Sequence, residues 1–161
     1  MNIDRLHFAL TLLSAFGCWL LAGVFFAFST FVMKALARIQ PAQGIAAMQS
    51  ISAEVPDSLF GMTFLGTTAA CAALAVFSLF RWHKPGARYL LAGSLLYLAG
   101  SFLVTMIFNV PENNLLAAVE PASGEGARFW VGYVSSWTAW NHVRTAASIA
   151  AAASLTYGVR A

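Results

Sequence analysis

From Leu6 to Met33 the chain contains no Asp, Glu, Lys or Arg. A helix crosses the hydrocarbon core of a bilayer with about 20 apolar residues, and this run is longer. It also exceeds the roughly 7–15 residue apolar stretch of a cleaved signal peptide. Ala35-Leu36-Ala37 resembles a cleavage site but follows Lys34 and the long run, so it is discounted. Similar runs follow, which places spans at approximately 6–33, 59–80, 89–108 and 129–158. The predicted fold is all-α: an integral membrane bundle of four helices, up-down-up-down, in a single transmembrane domain over residues 1–161. Short links favour antiparallel neighbours, and lipid forbids exposed irregular backbone. Composition agrees. Only 9% of the residues are charged and 60% are hydrophobic, whereas soluble domains carry about 25% charged residues. A soluble core of this size cannot hide so much apolar surface.

The links set orientation. Ile45, Met48, Ile51 and Val55 keep helical spacing between Gln40 and Asp57, which predicts a short amphipathic helix at the interface in loop one. Arg81, His83, Lys84 and Arg88 join the second and third runs, Arg5 precedes the first, and Arg160 follows the last. The positive-inside rule places these segments, and so both termini, on the cytoplasmic side of the membrane. Lys34 and Arg38 in loop one work against that bias. The net charge of +3 is explained by these clusters, and no nucleic-acid partner is expected. Ser14, Gly17 and Cys18, then Gly61, Gly66, Thr67 and Thr68, then Gly93 and Gly100, mark close helix packing. Cys18 and Cys71 lie in apolar runs without a CxxC pair, and read as small buried hydrophobes.

The fourth run holds WTAWNHVRTAA, residues 137 to 147. With about 100° per residue and Asn141 at zero, Arg144 lies at about −60°, Trp137 at about −40°, Trp140 at about −100° and Ser148 near −20°. His142 lies at about +100°, near Thr138 and Thr145, so one small pocket does not take both His142 and Arg144 on an undistorted helix. A helix starting at Phe129 puts Arg144 about 22 Å along, near mid-bilayer. An arginine there costs about 2.5–3.5 kcal/mol on insertion scales. The six acids are Asp4, Glu54, Asp57, Glu112, Glu120 and Glu125, and none falls inside a predicted span. Three readings stand: Arg144 glues helices; it sits nearer the outer interface, where Glu112 reaches it; or it receives negative charge from a ligand.

In the third run Tyr97, Ser101, Thr105 and Asn109 recur every four residues, followed by NVPENN. Pro111 is expected to end this helix and leave carbonyls near Asn109 unpaired, which the asparagines would satisfy. Trp137 and Trp140 are either aromatic filler or a stacking surface. His142 is either a packed, hydrogen-bonded side chain or a base. His7 and His83 lie toward the opposite end, so no metal site assembles. No phosphate-binding glycine loop, GxSxG or haem motif occurs, and no tightly bound cofactor is expected.

GVFFAFSTFVMKAL in the first span, NVPENNLLA after the third and WTAWNHVRTAAS in the fourth resemble the bacterial branch of the anthrone oxygenase-like membrane proteins. The resemblance covers about Gly23 to Ser148 and rests chiefly on N-x-P-x-N-N and W-x-x-W-N-H-x-R-T. It transfers at Asn109, Pro111, Asn113, Asn114, Trp137, Trp140, Asn141 and Arg144. Fungal members of that family oxidise anthrones to anthraquinones, so the resemblance implies an oxidoreductase of that kind.

The expected function is a membrane-embedded, cofactor-independent oxygenase acting on a planar phenolic, anthrone- or quinol-type molecule. Arg144 and Asn141 would hold the anionic oxygen. His142, or a loop carboxylate such as Glu112, would act as base. Trp137, Trp140, Asn109, Asn113, Asn114 and Tyr97 would contact the substrate. The alternative is a non-catalytic membrane protein that binds a lipid or quinone or scaffolds a complex, homo-oligomer included. A transporter is less favoured, because neither an inverted repeat nor a broken helix pair is visible.

Overall fold

The computed structural model describes residues 3–160, with side chains described from Arg5 onward. The described residues form five helices and no strands. Helix α1 runs Ile3–Ala27, widens into a π-helical turn at Phe28–Val32 and ends as Met33–Leu36. Helix α2 is Pro41–Glu54 and α3 is Leu59–Phe80. Helix α4 begins as Ala87–Tyr97, passes through π-helical stretches at Leu98–Leu103 and Thr105–Asn109, and closes as Val110–Ala117. Helix α5, Gly124–Arg160, is continuous over 37 residues.

Local signals start these helices. Pro41 opens α2, where its fixed φ fits and its missing N–H costs nothing. The Ser58 hydroxyl accepts from the Gly61 N–H at 3.2 Å and caps α3. Ser123 does the same for Gly126 at 2.8 Å at the head of α5. Gly86 precedes α4 with φ 79° against the Gly158 carbonyl, a left-handed approach that suits only glycine.

Three helical stretches, Arg5–Leu36, Leu59–Phe80 and Ala87–Ala117, are long and apolar enough to cross a membrane. Large apolar side chains cover their outer faces, among them Phe8, Leu13, Phe16, Leu65, Leu79 and Phe80. Such a surface calls for lipid. Helix α5 covers the whole of the predicted fourth run but is more polar than these three. Its Asn141, Arg144, Thr145 and Ser148 are buried.

Helix α5 packs on α1 and α4, and α3 packs on the same two from the other side. The contacts run in opposite chain directions. Trp19 and Phe25 of α1 meet Thr156 and Asn141 of α5, and Phe25 meets Phe60 of α3. Glycines bring backbones together: Gly17 faces Thr67, and Gly93 faces Leu155 and the Ala151 carbonyl. A Cβ at Gly93 would meet the Leu155 side chain at 2.8 Å and the Ala151 carbonyl at 2.9 Å. Gly93→Leu is expected to destabilise the protein by about 1–3 kcal/mol, read as a lower thermal midpoint in detergent. Gly23→Leu, where nothing lies within 4 Å, should leave that midpoint unchanged.

One expectation is corrected. The third run does not stop before Pro111: α4 continues to Ala117. The π stretch before the proline replaces the usual bond pattern, so the Val110 N–H reaches back five residues to the Thr105 carbonyl and the absent proline N–H breaks no regular ladder. The expected loop-one helix is present as α2, with its apolar face turned onto the bundle. Ile45 and Met48 of α2 are buried with Leu116, Trp130, Tyr133 and Trp137, and Gln49 Nε2 donates to the Leu116 and Val119 carbonyls, both at 2.9 Å. The extension of α4 past Pro111 supplies the surface on which α2 docks. Both cysteines are buried, as expected of small apolar residues.

Candidate functional site

The core is divided in two. One cluster holds Leu21, Leu74, Leu90, Tyr97 and Leu155; the other holds Met33, Ile45, Met48, Leu116 and Trp130. Between them, along α1, α4 and α5, lies a layer of buried polar residues: Ser29, Asn109, Asn141, Arg144 and Thr145.

Its bonds are directional. Asn141 Nδ2 donates to the Phe25 carbonyl and to Ser29 Oγ, both at 2.7 Å. Thr145 Oγ1 donates to the Asn141 carbonyl at 2.8 Å, so the 3.2 Å contact between Ser29 and Thr145 has serine as donor. With the amide nitrogen of Asn141 engaged on α1, its Oδ1 accepts from a terminal guanidinium nitrogen of Arg144 at 2.7 Å. The other terminal nitrogen donates to Thr105 Oγ1 at 3.2 Å. The guanidinium lies 4.5 Å from the Phe25 ring centre and 5.0 Å from that of Trp137, and cation–π attraction offsets part of its desolvation. Arg144 is 5% exposed, and none of its bonds goes to a carboxylate.

This layer opens on a cavity of about 510 Å³. Phe25 and Phe28 form one wall, Phe60 and Phe64 another, and Met48, Ile51 and Ser52 of α2 roof it. Thr105, Asn109 and Asn113 of α4 and Trp137 and Arg144 of α5 complete it. Three lining residues carry buried polar atoms without a partner: Arg144 Nε, Asn109 Oδ1 and Ser52 Oγ. The Asn109 assignment follows from chemistry. Its amide meets the Trp137 carbonyl at 3.2 Å, so that end is the nitrogen and the unpartnered end is the acceptor. Asn113 Oδ1 is filled instead, accepting from Tyr133 Oη at 2.8 Å and Trp137 Nε1 at 2.9 Å. That pair locks the indole against the cavity. An aromatic chamber thus presents one unpaired cationic donor and one unpaired amide acceptor, an arrangement suited to a planar molecule bearing an anionic or strongly polarised oxygen.

The structure brings Asn109, Asn113, Trp137 and Arg144 together, with Asn141 behind Arg144. It does not bring in the others. Tyr97 is fully buried in the neighbouring cluster, and its hydroxyl donates to the Phe64 carbonyl at 3.1 Å. Trp140 stacks on Phe108 with centroids 3.5 Å apart. Asn114 and His142 are exposed and outside the lining. For His142 the cause is the helical turn itself, which sets it away from Arg144. Glu112 accepts from Ser136 and does not meet Arg144. Among the described residues no cluster of His, Cys, Asp or Glu has the makings of a metal site. Sequence reasoning missed Ser52 and the four phenylalanines. Phe25 and Phe28 are a helical turn apart, as are Phe60 and Phe64, but in an apolar run that spacing is indistinguishable from lipid-facing filler.

No curated protein and no solved structure matches the chain at a significant level. The family model described as "Anthrone oxygenase" matches residues 57–154. That segment covers α3, α4 and most of α5, and includes Thr105, Asn109, Asn113, Trp137, Asn141 and Arg144. On that match, the chain belongs to the anthrone oxygenase family.

Proposed function

We propose that this protein is a four-span membrane oxygenase that converts an anthrone-type phenolic molecule to the corresponding quinone without a metal or organic cofactor. The observation that carries the reading is the unpaired Nε of a buried Arg144 on the wall of an aromatic cavity. An anthrone carries a CH₂ between two aromatic rings and opposite a carbonyl. Loss of one of these protons places negative charge on the carbonyl oxygen. Arg144 stabilises that oxyanion, and Asn141 and Thr105 fix the guanidinium in place beforehand. The anion then reduces dioxygen: a C–O bond forms at the former CH₂, and the hydroperoxide loses water. The sum is anthrone plus O₂ giving anthraquinone plus H₂O. Trp137 and Phe25 supply flat walls. His142 has no part in this scheme, and water accepts the proton once Arg144 has lowered the cost of the anion.

The fourth span is α5, whose polar face is turned inward onto α1 and α4. Arg5, Arg81, Lys84, Arg88 and Arg160 lie at one end of the bundle, against Lys34, Arg38 and Arg128 at the other. This excess supports cytoplasmic termini, and we place the chain in a bacterial inner membrane.

Purified protein in detergent should accelerate oxygen uptake with emodin anthrone at least tenfold over the uncatalysed reaction, with emodin accumulating in equal amount. A non-catalytic lipid or quinone carrier, the reading favoured by the absence of a His or carboxylate on the cavity wall, would bind the anthrone without changing its oxidation rate. Mass spectrometry of co-purified small molecules separates the two further: a planar phenol supports the oxygenase, and an isoprenoid quinone supports the carrier.

A further inference from the structure

We infer that the ligand of this cavity is a bilayer-dissolved amphiphile, and that it reaches Arg144 sideways from the lipid, between α3 and α4, rather than from water. The inference rests on the cavity being a ligand site, as proposed above, and adds its route and the character of its occupant.

Three observations converge. First, Leu65 of α3 and Met106 of α4 line the cavity and yet are 60% and 39% exposed. A side chain that is both cavity wall and outer surface stands at an opening. Second, the two helices part there. Helix α3 packs along α4 over Ala87–Leu103, but the π-helical stretch Thr105–Asn109 makes little contact with it. Thr105 and Asn109 line the cavity at this level. Third, the surroundings are apolar. Met62, Leu103 and Ile107 flank the gap and are 60%, 48% and 58% exposed. Leu65 lies about 9 Å into its helix and Met106 about 16 Å from the end of α4. In a bilayer both fall within reach of acyl chains, not headgroups.

The chamber is therefore graded. Its polar atoms, Arg144 Nε and Asn109 Oδ1, sit at the back on α5 and α4. Its mouth is leucine and methionine. A molecule that satisfies both ends carries an oxygen head and an apolar body that extends toward the lipid. Partition into the bilayer also concentrates such a molecule at the mouth. Methionine suits this position, being unbranched and able to swing aside.

The test uses the full chain in phosphatidylcholine vesicles preloaded with emodin anthrone under anaerobic conditions, so that binding is followed by tryptophan quenching without turnover. Leu65→Trp and Met106→Trp should each slow the approach to equilibrium at least tenfold and change the dissociation constant less than threefold. Met106→Ala, which adds no bulk and cannot clash, should speed it. Leu79→Trp, on the lipid face of α3 away from the mouth, should change nothing. The competing route passes the turn between α2 and α3, where Val55 and Pro56 also line the cavity. If Val55→Trp slows binding and the two mouth variants do not, lateral access is overturned. Unaltered rates in all variants overturn it as well. Failure of the wild-type chain to bind at all sinks the ligand site itself, a result separate from the others.

Discussion

Arg144→Met should lower the rate of oxygen uptake with emodin anthrone by about 10²–10³-fold, the usual loss when a preorganised oxyanion donor is removed. Its thermal midpoint should hold or rise. The guanidinium is buried without a carboxylate, and the desolvation cost that an apolar side chain of similar volume removes offsets the lost bonds to Asn141 and Thr105. The opposite pair of results, a lower midpoint with no activity to lose, is what a residue that merely holds helices together would give. Arg144→Lys should behave nearly as badly as methionine in the assay. Lysine keeps the charge but not the fork that bonds Asn141 and Thr105 at once while leaving Nε free. Asn141→Asp attacks the same premise from the other side. It places a carboxylate on Arg144 where the amide oxygen now accepts at 2.7 Å, and an internal counter-ion competes with any anionic guest. Anthrone affinity should fall more than tenfold in that variant. A chain that oxidises the anthrone equally well with the aspartate in place does not use Arg144 as an oxyanion site.

The sequence made the long apolar helices legible, and with them the isolation of Arg144. Runs without charge announce spans, and the expectation that Arg144 lacks a carboxylate partner holds, although Glu112 lies inside the spanning stretch Ala87–Ala117 and not outside it as expected. The stripe of Tyr97, Ser101, Thr105 and Asn109 held more than was read from it. In a regular α-helix a spacing of four drifts by about 40° per step, so residues twelve apart leave a common face. Here Tyr97, Ser101 and Asn109 are all buried, because π-helical stretches at Leu98–Leu103 and Thr105–Asn109 take up the extra residue in each turn. A polar stripe with period four is itself a sign of wide turns, and it also explains why Pro111 does not end the helix. Tyr97 bonds the Phe64 carbonyl while Asn109 lines the cavity, a division along the helix axis that wheel geometry cannot show. Trp140 was beyond reach for another reason. Its wheel angle places it beside Arg144, but its position is decided by Phe108 on a different helix, and no single-helix pattern contains a partner's side chain.

Asn141→Leu should cost more stability than any other conservative change in the layer, because one amide serves three partners on two helices. Its nitrogen bonds the Phe25 carbonyl and Ser29 Oγ on α1, and its oxygen bonds Arg144 on its own helix. All of these groups are away from water, and in lipid no solvent replaces the lost partner. Each buried group left unsatisfied costs about 1–3 kcal/mol in soluble proteins, while interhelical side-chain bonds in membranes average nearer 0.6 kcal/mol. Two lost bonds to α1 and one to a cation give roughly 2–4 kcal/mol. At about 2–4 °C per kcal/mol for a chain of this size, the thermal midpoint in detergent should drop by roughly 4–16 °C. Ser29→Ala alone should cost far less, since it leaves the Phe25 bond and the Arg144 bond intact. The double variant decides between a network and a set of independent bonds. In a network, Ser29→Ala adds almost nothing once Asn141 is gone, and the coupling reaches at least about 0.5 kcal/mol. Additive midpoint shifts would mean that Ser29 and Asn141 merely share a neighbourhood. Arg144 would then not owe its fixed position to α1, and the preorganisation invoked for the oxyanion would have to come from Thr105 alone.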